Sequence, residues 1–207
     1  AEDGIRDYKV TGVQTCALPI YLAVATVQVV NANLSLILGA DNTFENAIGG
    51  ALADLLTGNA LANTLTGNAG DDSLAGLAGN DTLVGGLGND VYLFAANSAL
   101  GTDTLNESAG VTDTLDFSGT TDMGVTVNLG TTTAQVVNAN LSLVLGLSTA
   151  FENVVGGLLN DTLTGNTLAN LLQGNSGNDT LIGLAGNDTL AGGTGDDTYA
   201  FAANAAL

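Results

Sequence analysis

The chain contains no histidine and no tryptophan, and its 207 residues include one cysteine, one proline and two Lys or Arg against 21 Asp and Glu. Each scarcity removes a class of function. A lone cysteine with no histidine excludes a disulfide framework and any Cys/His metal site. A net charge of −19 repels phosphate backbones and anionic lipid surfaces alike, so neither nucleic acid nor a polybasic membrane contact is expected. No apolar run reaches the ~18 residues of a spanning helix. Aromatics at 4% are thin material for an ordinary packed core. There is also no conventional base-activated nucleophile and no cationic clamp for an oxyanion or a phosphate. Carboxylate pairs alone run glycoside hydrolysis in some enzymes, but here the carboxylates recur periodically, with nothing asymmetric to raise one pKa. The chain is not expected to be an enzyme.

The few residues of the rare types are all at one end. Arg6, Lys9, Cys16 and Pro19 lie within the first twenty positions. Glu2 and Asp3 stand where a signal peptide carries basic residues, and no apolar run follows them. Back-translated, Ala1–Asp7 and Val10–Ile20 spell two stretches of a common short-read sequencing adapter, with Tyr8 and Lys9 at its index. Residues 1–20 therefore look like a translated adapter and are set aside in reading the fold. From Tyr21 onward there are 18 carboxylates and no Lys, Arg, His, Cys or Pro.

What remains is periodic. Cut every nine residues, Gly67–Phe94 reads GNAGDDSLA, GLAGNDTLV, GGLGNDVYLF. Positions one and four are Gly, position six is Asp, and position eight is large and apolar (Leu74, Leu83, Tyr92). Each unit is a turn followed by a short strand. Glycines at alternate turn positions permit positive φ and let carbonyls converge, while the carboxylate ending the turn supplies the anionic oxygen that a hard cation needs. Turn propensity explains any single Asp or Asn. It does not explain why position six is Asp in eight of ten repeats while position five varies among Asp, Asn and Ala.

The nonapeptides belong to a tandem duplication with an offset of 107 residues: Leu22–Leu100 aligns without a gap on Leu129–Leu207, with 52 of 79 positions identical. Within the arrays all 15 differences between the copies fall at positions three, five, seven and nine, whose side chains are expected to point outward. The expected organisation is an adapter segment (1–20), irregular β coils of a truncated first copy (21–48), a first array (49–94), a connector of irregular coils (95–155), a second array (156–201) and the start of a further connector (202–207). In the connector DTLNE, DTLDF, VTVNL, AQVVN and LSLVL read as strands. They are expected to add wider coils on the same axis and so cover the array's edge. Phe44, Phe94, Phe117, Phe151 and Phe201 are expected to plug the core.

The nonapeptide G-G-x-G-x-D-x-U-x resembles the RTX (haemolysin-type) calcium-binding repeat. The resemblance implies an all-β, parallel β-roll or β-solenoid in which two nonapeptides make one coil and calcium ions sit between stacked turns, held by carbonyls and the position-six Asp. Carried onto this chain, one side of the first array stacks Asp54, Asp72 and Asp90, and the other stacks Asn63 and Asp81. The second array gives Asp161, Asp179 and Asp197, then Asn170 and Asp188. The fourth-position glycines of these turns are Gly70, Gly79, Gly88, Gly177, Gly186 and Gly195. Leu52, Leu61, Leu159 and Leu168 depart from the pattern, since a branched residue resists positive φ. The Asp72–Asp90 and Asp179–Asp197 pairs are therefore the best expected calcium sites.

With calcium as cofactor and partner, the chain reads as a calcium-folded segment of a secreted or cell-surface bacterial protein, and the resemblance implies export through a one-step secretion channel. Without the ion it should resemble an acidic disordered polymer. Duplication favours a spacer of a large adhesin, whose surface or carbohydrate ligand would be bound by other parts of the parent protein. The alternative is the C-terminal secretion and folding module of an exported enzyme or toxin. Residues 1–20 are expected to make no contact with the arrays, and an independent long read of the source DNA is expected not to join them to Tyr21.

Overall fold

A three-residue strand cannot bury its own apolar side chain, and most strands among the described residues are that short. They are stabilised by stacking. The computed structural model describes residues 19–21, 27–31, 34–37, 44–107 and 112–201, with side chains from residue 44 onward. The described residues contain twenty strands and no helix.

Within the first array the strands alternate between two layers. β4 (Asn46–Ile48), β6 (Thr64–Ala69) and β8 (Thr82–Leu87) form one, and β5 (Leu55–Thr57), β7 (Ser73–Ala75) and β9 (Val91–Leu93) the other. Pairing is parallel and in register every second nonapeptide: Leu65 lies against Leu83, Leu56 against Leu74 and Leu74 against Tyr92. This is the coil of two nonapeptides, and the position-eight side chains fill its interior. Leu56, Leu65, Leu74, Leu83 and Tyr92 are fully buried, and so are Leu163, Leu172 and Leu181. Positions seven and nine are half-buried or exposed, as strand alternation requires.

The connector continues both layers. β10 (Gly101–Leu105) pairs with β8, and β11 (Thr114–Asp116) with β9. Phe94 stacks on Phe117 at 5.2 Å between ring centroids, and Phe151 meets Tyr92 edge-on at 5.3 Å. β13 (Gln135–Asn138) and β14 (Leu141–Leu145) form an antiparallel hairpin that closes the growing edge of β10. A new layer starts with β12 (Thr126–Asn128), which pairs with β16 (Thr162–Thr164) and continues through β18 (Thr180–Leu184) to β20 (Thr198–Phe201). Opposite it, one eight-stranded parallel sheet runs through both arrays in the order β1, β5, β7, β9, β11, β15, β17, β19. It includes β15 (Asn153–Val155), β17 (Leu171–Gln173) and β19 (Thr189–Ala191). The two copies are thus coils of one all-β solenoid, and their apolar side chains form one core cluster.

The duplication changes face between copies. β5, β7 and β9 lie in the long sheet, whereas their counterparts 107 residues on, β16, β18 and β20, lie in the sheet opposite. The β13–β14 hairpin returns to the layer that β10 already occupies, so β15 lands on the long sheet although its counterpart β4 lies across from it.

Three expectations need correction. β1 (Pro19–Tyr21) pairs in parallel with β5, so Pro19 and Ile20 do touch the array. Its register, Ile20 against Leu56, repeats that of Val127 against Leu163 in β12 and β16. The segment occupies the place before β5 that Thr126–Asn128 occupies before β16, because an edge strand accepts whichever extended chain reaches it. Residues 1–18 lie outside the described residues. Second, Tyr199 is 43% exposed and Phe201 78%. Both sit on β20, an edge of its sheet, where no further described coil covers them; Leu190 on β19 is partly buried for the same reason. Third, Phe44 packs only partly buried against the core. β2 (Val27–Asn31) and β3 (Leu34–Ile37) pair antiparallel, as β13 and β14 do.

Because Leu83 fills the core completely, Leu83→Ala is expected to cost about 2–5 kcal/mol through the cavity it leaves. Leu77 is exposed and has φ 70°, where the equivalent residue of the next repeat, Gly86, has φ 110°. Leu77→Gly is expected to be neutral, or stabilising by up to about 1 kcal/mol, since the left-handed region costs an L residue about 1–2 kcal/mol. Urea unfolding of both variants in calcium checks this.

Candidate metal centres

The position-six carboxylate immediately precedes each strand and turns inward beneath the turn. One of its oxygens is used by the neighbouring coil. Asp54 N–H donates to Asp72 Oδ1 at 2.7 Å, and Asp72 N–H to Asp90 Oδ1 at 2.7 Å. On the other face Asn63 N–H donates to Asp81 Oδ1 at 2.8 Å. The second array repeats the contact from Asp161 to Asp179 (2.8 Å), from Asp179 to Asp197 (3.0 Å) and from Asn170 to Asp188 (3.0 Å). The structure therefore brings together the stacked pairs expected from the sequence. Asp54, Asp72, Asp81, Asp90, Asp161 and Asp179 are buried, while Asp188 and Asp197, near the last coil, are half-buried.

The ladder does not stop where the nonapeptides do. Asp81 N–H donates to Asp103 Oδ1 and Asp90 N–H to Asp113 Oδ1, both at 2.9 Å, and Asp113 N–H reaches Glu152 Oε2 at 2.9 Å. Asp103, Asp113 and Glu152 were not among the expected site residues. Two of them carry a legible signal: Asp103-Thr104-Leu105 and Asp113-Thr114-Leu115 reproduce the Asp-Thr-Leu of Asp81–Leu83. Glu152 carries no such tag.

The second oxygen divides the repeats into two kinds. In the leading repeats the position-six side chain bonds within its own turn. Gly157 N–H donates to Asp161 Oδ2 at 2.6 Å and Gly50 N–H to Asp54 Oδ2 at 2.5 Å, while Asn59 and Asn166 N–H reach the Oδ1 of Asn63 and Asn170. In these turns Leu52, Leu61, Leu159 and Leu168 keep negative φ. In the trailing repeats positions two and four both adopt positive φ, for instance Asn68 (81°) with Gly70 (115°). There Oδ2 of Asp72, Asp81, Asp90 and Asp179 is buried without a hydrogen-bond partner, as it is in Asp103.

These orphaned oxygens face a cradle. A Cβ on Gly67 would collide with Asp72 Oδ2 and come within 2.7 Å of the Gly85 carbonyl oxygen. On Gly174 it would meet Asp179 Oδ2 and the Gly192 carbonyl oxygen, the latter at 2.6 Å. A carboxylate oxygen and a carbonyl oxygen from the adjacent coil thus converge on the bare side of Gly67 and of Gly174. An all-oxygen donor set with unspent anionic valence fits a hard, flexible-geometry cation such as calcium. Asp72 and Asp179, with the Gly85 and Gly192 carbonyls, are the residues that would hold it, and Asp81 presents the same unpartnered oxygen.

Burial without counter-charge raises these groups. Desolvation lifts Asp72 to about 7 from 3.8, opposed by the Asp54 N–H and assisted by the nearby Asp90, Asp54 and Asp71 charges. Asp103 and Asp113 are likewise pushed up to about 7, and Asp81 and Asp161 to about 6, with burial the largest cause in each. Each of these five folded values is raised, so the coil binds protons that the unfolded chain releases. The associated stability is complete below the unfolded carboxylate range and is lost as pH rises through about 6 to 7. In chelator, circular dichroism is expected to show β structure increasing as pH falls from about 7.5 towards 4. Saturating calcium should abolish that dependence near neutrality, because the cation takes the protons' place.

Residues 48–72, 57–92, 155–183 and 164–199 each match the model of the RTX calcium-binding nonapeptide repeat. No curated protein matches the chain. The matches cover both stretches in which position-six carboxylates stack against glycine-lined turns. Both arrays are RTX calcium-binding nonapeptide repeats.

Proposed function

We propose that the chain is a calcium-folded spacer of a secreted or cell-surface bacterial protein, most consistent with the repeat region of an adhesin. The observation that carries this reading is the eight-stranded parallel sheet that passes through both copies without interruption. Duplication of the unit lengthens one axis instead of adding a second globule, so further copies would extend the rod. The same fold would suit the folding module of an exported enzyme. In that case the parent gene would carry a catalytic domain upstream and few further copies.

Calcium acts in this reading as the missing counter-charge. The described residues include no cationic side chain, since Arg6 and Lys9 precede them. Parallel strands of adjacent coils are about 4.8 Å apart, so stacked carboxylates repel strongly until a cation intervenes. Ion binding to the folded state alone stabilises it by mass action. Extracellular modules of this kind work at roughly 10⁻⁴ to 10⁻³ M calcium, which would keep the chain unfolded during passage out of the cell. Catalysis is not part of this reading.

Asp71 and Asp72 offer a test within one turn, being adjacent and equally charged but respectively exposed and buried. Asp72→Ala is expected to raise the calcium midpoint of the circular dichroism transition by about tenfold or more, the consequence of losing one charged ligand. Asp71→Ala should move it much less, and magnesium should replace calcium poorly because it demands tighter octahedral geometry. Equal folding with and without calcium, or equal responses of the two variants, would overturn the proposal.

A further inference from the structure

The first array ends against a carboxylate cluster that the nonapeptide pattern does not contain. Asp90, Glu107 and Asp113 are all buried, and each offers an oxygen within 4.8 Å of the other two. Only Asp90 belongs to a repeat; Glu107 and Asp113 lie in the connector, beyond the residues matching the repeat model. All three accept hydrogen bonds from the surrounding chain. Asp90 Oδ1 accepts from Asp72 N–H and Asp113 Oδ1 from Asp90 N–H. Glu107 Oε1 accepts from Gly86 N–H at 3.0 Å, and its Oε2 from the Tyr92 hydroxyl, which in turn accepts from Gly85 N–H at 2.7 Å.

An independent observation points into the cluster. Asp90 is completely buried and its Oδ2 has no hydrogen-bond partner. That oxygen and Glu107 Oε2 face the same space: a Cβ placed on Gly85 would collide with the first and stand 2.6 Å from the second. The space is thus bounded by Asp90 and Glu107, and an Asp113 oxygen lies within 4.8 Å of an oxygen of each. With no cationic side chain in the described residues, three buried carboxylates this close must be neutralised by protons or by a bound cation.

We propose that Asp90, Glu107 and Asp113 form a calcium site of their own, which caps the first array by tying the connector to its last turn. The proposal rests on the reading of the arrays as calcium-folded but concerns ligands outside the repeat. Oxygen-only ligands and three negative charges select a hard divalent cation over a soft metal. Glu107 supplies the distinguishing ligand. Its side chain is longer than that of any position-six residue and is held in place by the Tyr92 hydroxyl.

The test uses the full chain and two readouts: calcium bound per chain by equilibrium dialysis, and emission of terbium, as a calcium surrogate, excited through tyrosine. Tyr92 touches the proposed ligand Glu107, which makes it the reporter; Tyr199→Phe in all samples removes the other described array tyrosine. Glu107→Gln, which keeps the size and one of the two acceptor oxygens but removes the charge, is expected to bind one calcium fewer and to lose most of the Tyr92-excited emission. Asp113→Asn should behave likewise, while Asp71→Asn should change neither. If Glu107→Gln does not fold, Glu107→Asp decides: it should recover the full calcium count only at several-fold higher calcium. An unchanged count and emission in Glu107→Gln, or an unchanged affinity in Glu107→Asp, would overturn the site and mean that protons neutralise the cluster. Either result with normal calcium binding by the parent chain leaves the repeat reading standing, whereas a parent chain that binds no calcium would remove both.

Discussion

The fold rests on one contact repeated along an axis: a buried carboxylate oxygen accepting the N–H of the residue one coil earlier. It fixes the spacing and register of the turns while the position-eight side chains fill the space between the sheets. The same contact buries charge, and among the described residues all of that charge is negative. A neutral amide at position six reverses the contact: Asn63 and Asn170 Nδ2 donate to the Glu45 and Glu152 carbonyl oxygens one coil earlier, while their Oδ1 accepts an N–H of their own turn. That Asp predominates, leaving one oxygen unspent in the trailing repeats, is intelligible when the fold is completed by a cation. Stability in such a stack is a sum over nearest neighbours, so each ion bound between two turns also fixes the turns on either side.

The arrays were legible because their signals are periodic and local. Glycine at positions one and four, Asp at six and Leu at eight give the turn, the ligand and the core residue without any long-range knowledge, and the stacking of Asp54, Asp72 and Asp90 follows from two nonapeptides per coil. The division of the turns into two kinds was half legible. Leucine at position four marks the leading repeats, but that Asp54 and Asp161 then turn inward to cap the Gly50 and Gly157 N–H groups depends on backbone angles that composition does not specify. Leu77 and Leu184 adopt positive φ at position two despite their side chains, because the flanking glycine turns and the stacked coils hold them there.

Outside the arrays the sequence was less informative for a physical reason. Asp103 and Asp113 precede Thr-Leu as array residues do, yet they lie 22 and 23 residues from their partners instead of 18, so a fixed period passes over them. Glu107 and Glu152 reach the axis from irregular segments and can be placed only once the coils are built. Pro19 and Ile20 show the opposite limit. A strand edge pairs by backbone, so a segment foreign in composition can still occupy a strand position there.

The exchange of faces between copies bears on how a longer chain would look from outside. The unit repeats in sequence every 107 residues, but a given outward side chain returns to the same flank only after two units. Chemically equivalent patches would therefore alternate left and right along such a rod, and its surface pattern would have twice the period of its gene. A partner reading one flank would meet odd-numbered and even-numbered copies as different surfaces, and substitutions that matter on one would be free to drift on the next.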